Sequence, residues 1–309
     1  MINFRYHVVS LTAVFLALAI GLVVGTTALN GPVSENLKDQ LNALKKDNDV
    51  KRDTVNQLRD ETNRNQDFAA EMAPYGLAGT LAGRKVAVVT LPGAGDQSEG
   101  VLKMLNVAGA TVTARITVEE KFLDPAQSNV LLDLADGSSQ TSIPASGLPQ
   151  NSDGVETASA LLALTVLTGT TTPTPDDVTT VLTAFAQAGF IAVEEKAIGG
   201  AEGIVLVAGP PATDKEAPRK SQNAVMLANQ LGKNRPLVVA GDGAGEGNLV
   251  AGVRNDPALV KLISTVDNVS TVQGQVATGM ATAERIVQNR VGQYGLTAGA
   301  TSMVPAPVQ

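Results

Sequence analysis

The side chains that could do chemistry are few and widely spaced. The 309-residue chain has no cysteine, no tryptophan and one histidine, His7. That composition removes disulfides, thiolate metal centres, cysteine nucleophiles and Ser-His-Asp triads together. The six methionines, at 1, 72, 104, 226, 280 and 303, form no M-x-x-M pair, so no soft Cu(I) site is readable. Glu119-Glu120 and Glu194-Glu195 are adjacent carboxylates, but neighbours in a strand point to opposite faces, and neither pair is a ready acid–base couple. Gly93-x-Gly95 follows an apolar run as a dinucleotide-binding turn would, with Ser98 where the third glycine belongs. The stretch GDGAGEGN, 241–248, also misses that spacing and adds Asp242 and Glu246, which would repel a pyrophosphate. There is no G-K-[ST], hence no P-loop. Asp242 and Glu246 could hold a cation, although Gly-rich acidic turns are more often solvated. No catalytic, cofactor or metal residue is assigned, and an enzyme is not expected.

The elements that would have to position any site say more. A net charge of -7 argues against a protein that grips nucleic acid by neutralising phosphates. With 44% hydrophobic residues a sizeable core can be buried. From Tyr6 to Ser34 no residue is charged apart from His7, and Val8 to Val24 contains only Ser10 and Thr12 as polar members. A helix of about 20 apolar residues crosses a bilayer, whereas a secretory h-region is about 7–15 long. A retained transmembrane anchor is therefore expected; Thr26-Thr27-Ala28 is a weak small-residue cleavage site that leaves removal open. Arg5 precedes the helix and Lys38, Lys45 and Lys46 follow it, a bare count that favours a cytoplasmic C-terminus. A short leader ahead of a long domain is instead the pattern of a signal anchor, and the globular part is expected outside. Ala13, Ala17, Gly21 and Gly25 recur every four residues, a small-residue face on which two membrane helices could approach.

Gly31-Pro32 breaks that helix, and a second helical run is expected from Ser34, as its cap, to about Met72. Its apolar positions step by four and three: Leu37, Leu41 and Leu44, polar breaks at Asn48 and Lys51, then Val55 and Leu58, with Thr62, Asn65, Ala69 and Met72 carrying the register onward. Placing Leu41, Asn48 and Val55 at the first core position puts Lys38, Lys45, Arg52 and Arg59 on one flank and Gln40, Asp47, Thr54 and Glu61 on the other. A parallel two-chain coiled coil is predicted, with Asn48 fixing register; the alternative is one amphipathic helix packed on its own domain.

Beyond a punctuating stretch at Pro74 to Leu81, strands and helices alternate. Strands are predicted at 86–90, 111–118, 191–193, 204–208, 237–240 and 262–266, and helices at 98–108, 155–168, 174–189, 218–231, 248–253 and 273–290, with a loop over 136–154. That alternation predicts an α/β fold: a doubly wound, mostly parallel sheet covered on both faces. The expected organisation is a transmembrane anchor (1–32), a coiled-coil stalk (33–73), an α/β globular domain (82–296) and a flexible Pro-rich tail (297–309). Its expected partners are membrane lipid and a second copy of the chain.

The opening MINFRYHVVSLTAVFLALAIGLVVGTTAL, the heptad stalk, KVAVVTLPGA and above all STVDNVSTVQGQVATGMATAERIVQNRVGQYG resemble the actinobacterial MctB family, nearly end to end. The resemblance implies a role in copper homeostasis through copper efflux, by a pore-forming outer-membrane protein. It also implies a second role, with a membrane partner, in controlling a cell-wall hydrolase during cell separation. A pore is hard to reconcile with the residues, because barrels need alternating segments of about ten residues without intervening helices. One apolar span per chain also offers no polar lining.

Overall fold

A computed structural model describes residues 4–30, 32–169, 172–194, 197–233, 235–243 and 247–307. The chain divides into two units, Met1–Arg64 and Asn65–Gln309.

The first unit is helical. Helix α1, Phe4–Asn30, contains a 24-residue apolar span, Phe4–Thr27. At ~1.5 Å per residue it measures about 36 Å, more than the ~30 Å of a hydrocarbon core. Its threonine hydroxyls are satisfied within the helix: Thr12 donates to the Val8 carbonyl at 2.7 Å, Thr26 to that of Leu22 at 2.9 Å and Thr27 to that of Val23 at 2.7 Å. Helix α2, Pro32–Leu77, starts two residues before the expected cap at Ser34, with proline in its first turn, where a missing N–H costs nothing. From Glu35 through Arg64 its side chains lie exposed, and Asp47 pairs with Lys51 at 2.7 Å.

The second unit begins within α2, and here the expected stop at Pro74 fails. The helix runs on to Leu77. A proline this close to a helix end removes few hydrogen bonds, and Ala73, Leu77 and Leu81 are fully buried in the core of this unit. Strand β1, Lys85–Thr90, is followed by α3, Gly95–Val107, then β2, Thr111–Val118. Two helices that the sequence did not announce come next, α4 at Glu120–Leu123 and α5 at Ser128–Gly137. Helix α6, Gly154–Val166, is capped by Asp153, whose carboxylate accepts the Glu156 N–H at 2.8 Å. Helix α7, Pro175–Gln187, is capped as expected by Thr174, which accepts the Asp177 N–H at 3.2 Å. The remainder is β3, Ile191–Val193; β4, Gly203–Val207; α8, Ala217–Gly232; β5, Leu237–Gly241; α9, Leu249–Asn255; β6, Ser264–Asp267; α10, Val272–Val287; and β7, Gln293–Tyr294.

The strands form one sheet in the order β3-β2-β1-β4-β5-β6-β7. All neighbours are parallel except β2 and β3. Strands β4 and β5 are buried at every position, the signature of a sheet with no face toward water. In β1, Ala87 and Val89 join one core cluster with Leu131, Leu161, Phe185 and Leu227, while Val86 and Val88 join another with Leu105, Ala277 and Ala281. The first cluster draws on α5, α6, α7 and α8, the second on α3 and α10.

Two expectations are corrected. Residues 297–302, expected to open a flexible tail, are bonded to the sheet: the Thr301 N–H donates to the Gln293 carbonyl at 2.7 Å and the Gly295 N–H to that of Ser302 at 2.9 Å. Pro305 is buried as well. Glu119 and Glu120 do not share a strand, because β2 ends at Val118, Glu119 precedes α4 and Glu120 opens it.

Candidate functional site

In open α/β sheets the crevice lies beyond the carboxyl ends of the strands, where neighbouring strands send their chains to opposite faces. β1 and β4 are such neighbours: α3 after β1 packs into one cluster, α8 after β4 into the other. A cavity of about 340 Å3 lies at this point, lined among others by Pro92 and Gly93 after β1, by Pro210 and Pro211 after β4, and by Lys220 and Ser221 of α8. Gly247, from the second Gly-rich stretch, lines it too, so the two glycine motifs read from the sequence do converge.

The loops after β1 and β4 lie against each other: a Cβ on Gly209 would fall 2.1 Å from the Pro92 carbonyl oxygen, and one on Gly93 3.2 Å from Pro210 Cδ. Glycine is required at 209 for that close approach. The cation present is already neutralised, since Lys220 Nζ donates to Asp214 Oδ2 at 2.6 Å. That bond lowers the Asp214 carboxyl below its ordinary range and raises the Lys220 ammonium. Asp214 also accepts the Glu216 N–H at 2.9 Å, just ahead of α8. Of the acidic pair in GDGAGEGN, Asp242 accepts the Ser270 N–H at 3.0 Å, and Glu246 lies outside the described residues. Asn248 caps α9, accepting the Ala251 N–H at 3.2 Å.

The densest polar constellation lies instead at β6 and β7. The Asp267 carboxylate is fully buried and is met by Arg254 Nη1 at 2.7 Å, by the N–H groups of Leu296 at 2.6 Å and Thr297 at 3.1 Å, and by the Thr297 hydroxyl at 2.8 Å. Burial pushes this carboxyl up, but the Leu296 N–H, Arg254 and Thr297 together outweigh it and hold it below its ordinary value. The Arg254 side chain is 4% exposed; its Nη2 donates to the Tyr294 carbonyl at 2.7 Å and its Nε to the Thr265 hydroxyl at 2.8 Å. A Cβ on Gly295 would sit 2.1 Å from Asp267 Oδ1, and Gly295 has φ +126°, so only glycine fits there. One helix away, the Tyr294 hydroxyl donates to Glu284, which also pairs with Arg290 at 2.6 Å. Burial, then the bond to Glu284, raises the Tyr294 hydroxyl well above the usual tyrosine range. Arg285, buried, donates to Asn289 and to the Leu262 carbonyl. Arg285 Nε is buried without a partner, but both carboxylate oxygens of Asp267 are met inside the fold, and that cluster locks the chain end onto the sheet. Sequence reasoning did not assign Arg254, Asp267, Glu284, Tyr294 or Thr297. The available signal was the lone Asp267 ending the strand-like run STVD, and Glu284, Arg285, Arg290, Gly292 and Gly295 in the stretch ending QYG.

The residues singled out for association lie elsewhere. Ala13, Ala17 and Gly21 are exposed and Gly25 half-buried on α1, and a Cβ at either glycine would meet nothing within 4 Å. Leu37, Leu41, Leu44, Asn48, Val55 and Leu58 all stand exposed on α2. Glu194 pairs with Arg115 at 2.6 Å, while Glu195 lies outside the described residues. Met104 is in the core and Met303 on the surface. Among the described residues no group of three His, Cys, Asp or Glu is arranged to hold a metal.

A membrane-length apolar helix ahead of a mostly parallel α/β module defines the class: a membrane-associated α/β protein. Residues 1–305 match the family model described as "Copper transport outer membrane protein, MctB", and the chain belongs to that family. It is similar to the proteins named "Copper transporter MctB" of Mycobacterium bovis and Mycobacterium tuberculosis, 28% identical over 314 residues, covering 98% of this chain and 99% of theirs. The Mycobacterium leprae protein of that name is 28% identical over 319 residues, with the same coverage.

Proposed function

We propose that this chain serves copper transport and homeostasis at the cell envelope, as a homodimeric, non-enzymatic α/β module held to the membrane by α1. The observation that carries the copper role is the family match over residues 1–305. The sheet is taken as doubly wound and the module as extracytoplasmic, the arrangement of a signal anchor. The exposed small-residue face of α1 and the exposed heptads of α2 support pairing. A single uncharged span encloses no aqueous path, so the chain is read as contributing to efflux as a tethered partner rather than as a pore.

A second reading is a scaffold that regulates a cell-wall hydrolase during cell separation, favoured by α2's unpartnered surface, a feature suited to protein contact. One strain separates the two. Copper accumulation and septum morphology are measured together in a deletion strain carrying the full chain, or versions lacking residues 1–32 or 33–73. The copper reading expects excess copper in the deletion, corrected only by the full chain. Normal copper with unseparated cells would end that reading and leave the scaffold. Copper restored by the version lacking residues 1–32 would end the emphasis on tethering.

A further inference from the structure

The last turns of α2, inside the second unit, carry an apolar stripe turned away from their own domain. Ala73 and Leu77 are buried at 2% and 0% exposure, Gln273 donates to the Asn65 carbonyl at 3.1 Å, and a Cβ on Gly279 would meet Leu77 at 3.0 Å. That face is covered by α10. Phe68, Met72 and Tyr75 are 64%, 45% and 84% exposed. At ~100° per residue, Phe68 and Tyr75 lie about 160–180° around the helix from the Ala73–Leu77 face and Met72 about 120° from it. Three large apolar side chains spaced i, i+4, i+7 on one helix face are a contact surface awaiting a partner.

The heptad register says which partner. The flank of Lys38, Lys45, Arg52 and Arg59 continues as Gln66 and Ala73, losing its charge where the chain's own domain covers it. The opposite flank, Gln40, Asp47, Thr54 and Glu61, continues as Phe68 and Tyr75 and turns aromatic at the same two heptads, although this domain does not cover it. The second core column, with Leu37, Leu44 and Leu58, continues through Asn65 to Met72. A column kept in register is the one that meets its own copy in a parallel pair.

We infer that Phe68, Met72 and Tyr75 form a second dimer contact, occupied by the same stripe of a second copy, so that pairing reaches the α/β module itself. The inference rests on the coiled-coil reading and extends it beyond the stalk. The chain has no cysteine, so single introduced thiols report cleanly. Leu44→Cys, Met72→Cys and Glu71→Cys are made in the full-length protein in its membrane and treated with a short bis-maleimide. Leu44→Cys and Met72→Cys are expected to cross-link at least tenfold more than Glu71→Cys. Adding Phe68→Asp and Tyr75→Asp, both at exposed positions, lowers the Met72→Cys yield at least fivefold and leaves Leu44→Cys linked. If Leu44→Cys links and Met72→Cys stays at the Glu71→Cys level, the inference fails and the stalk reading stands. If neither links, both fail. If Met72→Cys alone links, the stripe is a dimer contact and the stalk reading falls.

Discussion

Helix α2 is one run of hydrogen bonds living in two environments. Up to Arg64 its leucines stand in water, whereas from Asn65 onward Ala73 and Leu77 sit in the interior of an α/β module. The same residue type thus has two consequences. Leu77 contributes to folding; Leu44 is exposed on its own chain, and under the proposed pairing its role would be to meet another.

The widest gap between the two stretches should come from a charge placed in each. Leu77→Asp forces a carboxylate into a filled interior and is expected to cost at least ~4 kcal/mol, enough to prevent folding of the module. Leu44→Asp should leave the thermal unfolding of the module within ~0.5 kcal/mol of the parent while abolishing association, read by sedimentation in detergent. Equal destabilisation by both would erase the distinction.

Asp267→Asn comes next, leaving Arg254 buried with an uncharged neighbour; a loss of about 3–5 kcal/mol in denaturant unfolding is expected, with Leu44→Cys cross-linking unchanged. The same carboxylate gives a pH signature. Its folded value lies below the unfolded one of about 3.9, so its stabilisation is complete above about pH 4 and is lost as pH falls through the folded value. Asp267→Asn should flatten that acid limb. Tyr294 works with the opposite sign: its raised hydroxyl stabilises fully below about pH 10, and the contribution disappears as pH rises through the folded value, a limb that Tyr294→Phe removes. Smallest is Asn48→Val, which should strengthen stalk pairing by about 1 kcal/mol while loosening its register, seen as new cross-links at non-core positions.

The sequence reads well wherever a single strong local force decides. Fully apolar runs such as 86–89 and 237–240 became the bulk of β1 and β5, and the Thr174-Pro175 pair marked the start of α7 because a cap and a preset φ act within four residues. It reads poorly where tertiary contact decides. β7 has two residues, too few for any periodicity, and exists because it lies beside β6 and is tied by Thr301. α4 is one turn long and α5 follows a Pro125 turn that masks its start. Pro74 looked like a stop, and burial of Leu77 overrode it. Nor could the sequence announce the close approach of Gly209 to the Pro92 carbonyl at the mouth of the glycine loops, a contact between segments far apart in sequence. The Asp267 lock was invisible as geometry because its donors come from 254, 296 and 297.

The sheet's borders carry one more consequence. β3 offers three residues and β7 two, and the Tyr294 backbone on the β7 side is bridged to Ser302. Such stubby margins leave few free N–H and C=O groups for a neighbouring sheet to zip onto. Molecules crowded on one lipid surface would therefore stay discrete, and any joining between them would pass through helices.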